Sequence, residues 1–143
     1  GLSDLLSGKT DANVFHQVEG APNLSVITCG TIPPNPMELI SSKRFANLLQ
    51  SLRERFTHIV IDSPPTLPVS DSCVLAKMVD ATIIAVKAEE TKISMAKETI
   101  TRLNKVNANI TGVVLTQASP QKMSYYGEHY YQESYYGVEP AKS

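Results

Sequence analysis

Short apolar runs alternate with longer helical segments, and this alternation constrains the fold more than any other feature. Thr57–Ile61 (THIVI), Ala81–Val86 (ATIIAV) and Ile110–Thr116 (ITGVVLT) are rich in β-branched residues with few polar positions. Runs of that kind suit strands buried on both faces of a parallel sheet. Leu24–Thr28 (LSVIT) is a further strand, stopped by Gly30 and by Pro33, Pro34 and Pro36. Helical segments lie between them. Asn35 is placed to cap, Pro36 suits a first helical position, and Glu38 stands where a capping box needs it. Leu39, Phe45, Leu48, Leu49, Leu52 and Phe56 then recur at helical spacing, which predicts one helix of about five turns. Ser70 and Asp71 open another helix ending near Val79, and Ser94 to Val106 forms the next. GLSDLLSG is a short helix or turn ending at Gly8, and a loose polar stretch follows to Pro22. The fold class is therefore α/β: a parallel sheet flanked by helices through βαβ crossovers.

The 143 residues suffice for one compact domain but not for two. Thirteen basic residues against fourteen acidic ones leave a net charge of -1, which disfavours bulk nucleic-acid binding. Cys29, Cys73 and three scattered histidines show no metal-ligand spacing. No apolar run approaches the roughly 20 residues that span a bilayer. Asn23 and Asn109 match N-x-[ST], a pattern of little weight without a secretory signal.

Ligands of open α/β sheets sit beyond the carboxyl ends of strands. There the run Thr57–Ile61 leads into Asp62, followed by Ser63, Pro64 and Pro65. An apolar strand ending in aspartate has the form of a Walker B segment, whose carboxylate holds magnesium beside nucleotide phosphates. The competing reading is an aspartate that caps a turn. A Walker B segment needs a P-loop, GxxxxGK[ST]. Ser7-Gly8-Lys9-Thr10 copies its second half, but Ser3 stands where the first glycine belongs and no strand precedes it. It is not a phosphate cradle.

All six tyrosines, Tyr125, Tyr126, Tyr130, Tyr131, Tyr135 and Tyr136, fall in pairs near the C-terminus. Residues 119–143 keep only Met123 and Val138 as sizeable aliphatic side chains, too few to order a core, so this stretch reads as a mobile tail. Clustered tyrosines outside a core suit either adhesion or phosphorylation. Each phosphate adds roughly -1.5 to -2 charge, so six would add about -9 to -12 and swamp the present balance.

GLSDLLSG, IPPNPMELISSKRF, HIVIDSPPTLPVSDSCVLAKMVDATIIAV, the GVVL strand and the tyrosine cluster, in this order, resemble the bacterial tyrosine kinases (BY-kinases) of capsule and exopolysaccharide synthesis. The resemblance covers essentially the whole chain. It implies the deviant-Walker P-loop ATPase fold related to MinD and ParA proteins. It implies ATP and Mg2+ as cofactors, and transfer of the γ-phosphate to tail tyrosines of a neighbouring subunit in a ring-type homo-oligomer. On this resemblance Asp62 takes the Walker B role, catalytic and directed to magnesium through water, and the six tyrosines are phospho-acceptors. Asp71 has a secondary, structural role. Gln117 becomes the candidate nucleotide-binding residue, because Thr116 stands where the family often has a base-reading Asn. The implied partners are other copies of itself, a transmembrane polysaccharide chain-length regulator (fused or separate) and a tyrosine phosphatase, with no nucleic acid. The implied location is the cytoplasmic side of the bacterial inner membrane.

On this resemblance residues 1–118 are the C-terminal part of a P-loop kinase domain and residues 119–143 its tail. The P-loop lies upstream of GLSD, so roughly the first third to two-fifths of the domain is absent. The chain alone is expected to be inactive, though still a substrate. The rival readings are a MinD/ParA-like ATPase, a non-catalytic partner module of a chain-length regulator, and a flavodoxin-like or receiver-like domain.

Overall fold

A computed structural model describes residues 1–9 and 13–119 of the chain. Its elements are α1 (Leu2–Leu6), β1 (His16–Val18), β2 (Ala21–Val26), α2 (Pro36–Ile40), α3 (Lys43–Arg55), α4 (Asp71–Ala76), β3 (Thr82–Lys87), α5 (Ile93–Lys105) and β4 (Ile110–Thr116). β3 and β4 pair in parallel, joined by α5 as a crossover, with Ile84 opposite Val113 and Val86 opposite Leu115. The α/β architecture with a parallel pair is thus as the sequence implies. β1 and β2 form a separate antiparallel hairpin.

Two small cores hold these elements together. Leu6, Phe45, Leu49 and Leu75 form the first, joining α1, α3 and α4, with Leu39, Ile61 and Met78 packed around it. Ala76, Ile84 and Leu103 form the second, joining α4, β3 and α5. Adjacent residues Leu75 and Ala76 belong to different cores, so α4 is the pin between the helical half and the sheet. The other face of the β3–β4 pair is open: Ile83 is 64% and Val114 49% exposed. Parallel sheets are normally covered on both faces.

Three sequence expectations are corrected. The helix predicted from Asn35 to Phe56 is two helices, because Ser42 starts a new one: its hydroxyl accepts from the Phe45 N–H at 3.2 Å and donates to the Leu39 carbonyl at 2.6 Å. The apolar stripe survives the break, since Leu39, Phe45 and Leu49 still meet in one core. Thr57–Ile61 is not a strand, because a strand requires a hydrogen-bonded neighbour and none pairs with it among the described residues. Ile61 alone reaches the core, and Val60 is 93% exposed. The stretch 9–22, expected to be loose, holds β1, the turn at Gly20 (φ +78°) and the start of β2. Phe15 anchors this hairpin by stacking on Phe56 at 6.0 Å, with the Arg55 guanidinium 5.0 Å from the Phe15 ring.

Gly8 has a definite use. At φ +74° it follows α1, while its N–H donates to the Leu5 carbonyl and the Lys9 N–H to the Asp4 carbonyl. That paired closure is a Schellman motif. A P-loop glycine opens a helix; this one ends a helix, in keeping with the exclusion of Ser7-Gly8-Lys9-Thr10 as a cradle.

Candidate functional site

Asp62 lies where the extended segment leaves the helical core, one residue beyond the anchored Ile61. Its carboxylate is exposed and makes no hydrogen bond or ion pair among the described residues. Ser63, Pro64 and Pro65 carry the chain away from it. Prolines have no N–H and fix φ, which holds this turn open without a backbone ladder. The loop is tied down from α5: Arg102 Nη1 donates to the Leu67 carbonyl at 2.7 Å and reaches the Thr66 carbonyl at 3.5 Å. Arg102 is itself paired through Nη2 with Glu98, one turn back, at 2.8 Å. Nothing in the sequence pattern marked Arg102, because its partners are carbonyl oxygens 35 and 36 residues away.

Asp71 is the first residue of α4 and half-buried, as a helix-opening acidic residue. Gln117 directly follows β4, exposed, with φ +55°. Thr116 is turned into the sheet pair: its hydroxyl donates to the Val86 carbonyl at 3.2 Å, and its own carbonyl accepts from the Ala88 N–H at 2.9 Å. No hydrogen bond or ion pair joins Asp62, Asp71 and Gln117 to one another. Tyr125, Tyr126, Tyr130, Tyr131, Tyr135 and Tyr136 lie outside the described residues.

The donor set permits only one kind of magnesium site. No cluster of three or more His, Cys, Asp or Glu side chains suited to a metal occurs among the described residues. A lone free carboxylate fits Mg2+, which keeps several waters and takes one or two protein carboxylates plus phosphate oxygens. It does not fit a closed structural cage.

A second polar locus was not foreseen. Asp4 Oδ2 accepts from the Gly1 amino group at 3.0 Å and from the Thr31 N–H at 3.2 Å. Those bonds, the amino group's first, lower its pKa to about 2. With buried Ser3, whose hydroxyl donates to the Thr31 carbonyl, Asp4 fastens α1 to the loop before Pro33. Lys9, Asn35 and Glu38 complete an open cleft of about 340 Å3 there. Asn109, matched to a glycosylation pattern, is occupied structurally: its amide donates to the Asp80 carbonyl at 2.6 Å. Both cysteines are free thiols, and no helix among the described residues is long and apolar enough to cross a membrane.

Comparison with known proteins places these features. No family profile matches the chain. The chain is 36% identical over 132 residues to the tyrosine-protein kinase CapB of Staphylococcus aureus, covering 90% of itself and 58% of CapB. It is 31% identical over 125 residues to the tyrosine-protein kinase ptk of Acinetobacter johnsonii, covering 87% of itself and 17% of that protein. Among solved structures, the VpsO kinase domain superposes with a TM-score of 0.77 at 37% identity, over 83% of this chain and 59% of that one. The kinase domain of the Escherichia coli tyrosine kinase ETK gives 0.73 at 31% identity, over 83% of this chain and 48% of that one. The chain thus spans about half the length of these solved kinase domains, and less than two-thirds of either curated relative.

Proposed function

The chain belongs to the bacterial tyrosine kinases, and from that membership we propose that it forms the magnesium-side part of an ATP-dependent tyrosine autokinase. The full-length protein moves the γ-phosphate of ATP to Tyr125, Tyr126, Tyr130, Tyr131, Tyr135 and Tyr136 of a neighbouring subunit in a ring-type assembly. It serves capsule or exopolysaccharide polymerisation and export at the cytoplasmic face of the membrane. It works with a transmembrane chain-length regulator, fused or separate, and with a tyrosine phosphatase. Residues 1–118 contribute to the catalytic domain and 119–143 are the acceptor tail.

One observation carries the reading: a free, exposed carboxylate, Asp62, at the end of an apolar extended segment in a chain whose relatives are named tyrosine kinases. Phosphoryl transfer requires positioning and charge neutralisation rather than covalent chemistry by the protein. Magnesium, when bound, neutralises developing charge on the phosphates. Asp62 would hold that ion through its water shell, and the loop behind it sets where the carboxylate stands. Gln117, which follows β4 directly, would read the nucleotide base with its amide.

The open face at Ile83 and Val114 and the unpaired segment 57–61 suit a sheet completed by other parts of the kinase domain. The phosphate cradle belongs to those parts, so this chain alone turns over no ATP. The MinD/ParA-like ATPase alternative gives the tyrosine cluster no role, and the kinase names of the relatives weigh against it. In the full-length protein, Asp62→Ala should abolish tail phosphorylation, while single Tyr→Phe changes leave most of it. Undiminished phosphorylation in Asp62→Ala would remove the Walker B assignment.

A further inference from the structure

We propose that Arg102 is the positioning residue of the Asp62 loop, setting how well the site retains magnesium; this rests on the Walker B reading above.

The loop 62–69 is poor in ways to hold itself. It belongs to no helix or strand, and Pro64, Pro65 and Pro68 have no N–H to donate. Ser63 bonds only to the neighbouring Pro64 carbonyl, at 3.4 Å. Among the described residues, the only hydrogen bonds joining 62–69 to another element come from Arg102, to the carbonyls of Thr66 and Leu67.

Arg102 is well founded for this task. Its neighbour Leu103 is 2% exposed and roots α5 in the second core. Glu98 accepts from Nη2 at 2.8 Å, leaving Nη1 to face the loop. A guanidinium is a rigid planar fork, so with Nη2 held by Glu98 the other prong, Nη1, is aimed at the loop, donating to the Leu67 carbonyl at 2.7 Å and reaching the Thr66 carbonyl at 3.5 Å. Upstream the loop is fastened at Ile61 in the first core, and downstream it enters α4 at Ser70. Asp62 therefore sits between one apolar anchor and one guanidinium clamp.

Releasing the clamp widens the range of positions open to the Asp62 carboxylate. Mg2+ demands near-ideal octahedral geometry, so its retention suffers before anything else does. Outer partners that orient a metal-directed group commonly change metal affinity by roughly 10- to 100-fold. The Arg102 side chain is 41% exposed, which places the expected effect at about the lower end of that range. The nucleotide's phosphates and base are held elsewhere, so metal-free nucleotide affinity stays as it is.

The test uses the full-length kinase. Tail phosphorylation is followed against free Mg2+ at saturating ATP for wild type, Arg102→Ala, Arg102→Lys and Asp62→Ala. Arg102→Ala should raise the half-saturating Mg2+ by about tenfold, with the maximal rate restored by excess metal. Arg102→Lys keeps the charge and the alkyl stem but loses the fork, and should fall between wild type and the alanine variant. ADP affinity without metal should not change. Unchanged Mg2+ half-saturation in both variants overturns the proposal, as does a lost rate that excess metal does not restore. Should the alanine variant fail to fold, the lysine variant decides alone: a shifted half-saturation supports the clamp and an unshifted one refutes it. Activity surviving in Asp62→Ala removes the Walker B reading and this inference together. Activity lost in Asp62→Ala with no metal shift at Arg102 removes only the inference.

Discussion

Val60→Ala should cost almost nothing in this chain and a good deal in the full-length kinase. Val60 is 93% exposed here, in a segment with no strand partner. Removing two methyl groups already in water should change stability by no more than about 0.5 kcal/mol. In a completed parallel sheet the same side chain is covered. Each buried carbon is then worth about 0.8 kcal/mol, and the cavity left behind adds to that, giving a loss of about 1.5–3 kcal/mol. Leu103→Ala is the internal standard, since Leu103 is only 2% exposed in this chain. It should cost about 2–5 kcal/mol in both contexts. Urea unfolding followed by circular dichroism, for the chain and for the full-length protein, gives the four differences. A small Val60→Ala effect in both contexts would show that this segment faces solvent in the whole protein too, and would refute the completed-sheet account. A large effect in the chain that grows with protein concentration would show instead that copies of the chain cover one another.

The remaining predictions are local. In this chain taken by itself, Asp4 has its pKa lowered from 3.8 to about 2, chiefly by the Gly1 amino group and then by Thr31. Its ionised form is favoured by folding, so its contribution is full above the unfolded value near 3.8 and is lost as pH falls towards 2. The stability gap between wild type and Asp4→Asn, read by urea unfolding, should therefore close over that window; a constant gap would contradict the assignment. Gly8→Ala should destabilise by about 1–2 kcal/mol, because φ is +74°. The added Cβ would also lie 2.7 Å from Arg44 Nη1, but a flexible side-chain end can retreat, so backbone strain should dominate. The purified chain incubated with ATP and Mg2+ should release no phosphate above background, and measurable turnover would show that it carries a phosphate cradle after all.

How far the sequence reached depended on whether a feature is local. β4, α5 and β3 lie within a residue of their predicted bounds at every end, since β-branched runs and a 3.6-residue stripe carry their own signal. The α2–α3 break was missed because the apolar stripe runs straight through it; the Ser41-Ser42 pair was the available sign, and Ser42 is indeed the cap. Thr57–Ile61 shows the opposite limit. Its composition is that of a buried strand, yet a ladder needs a second strand, and none stands beside it among the described residues. Asp62 stood out because a carboxylate after an apolar run is a local pattern; its Walker B role is the proposal made above. Arg102 was not, because its contacts depend on how α5 packs against a loop far upstream. The tail's six tyrosines were conspicuous in composition alone, and their role rests on chemistry rather than on position in the fold.

The most direct test of the central claim is mass spectrometry of the tail peptide from full-length protein made in its own cells, wild type beside Asp62→Ala. The account predicts phosphate on several of Tyr125 to Tyr136 in the wild type and none in the variant. An unmodified tail during active polymer synthesis, or a tail equally phosphorylated in both, would contradict it.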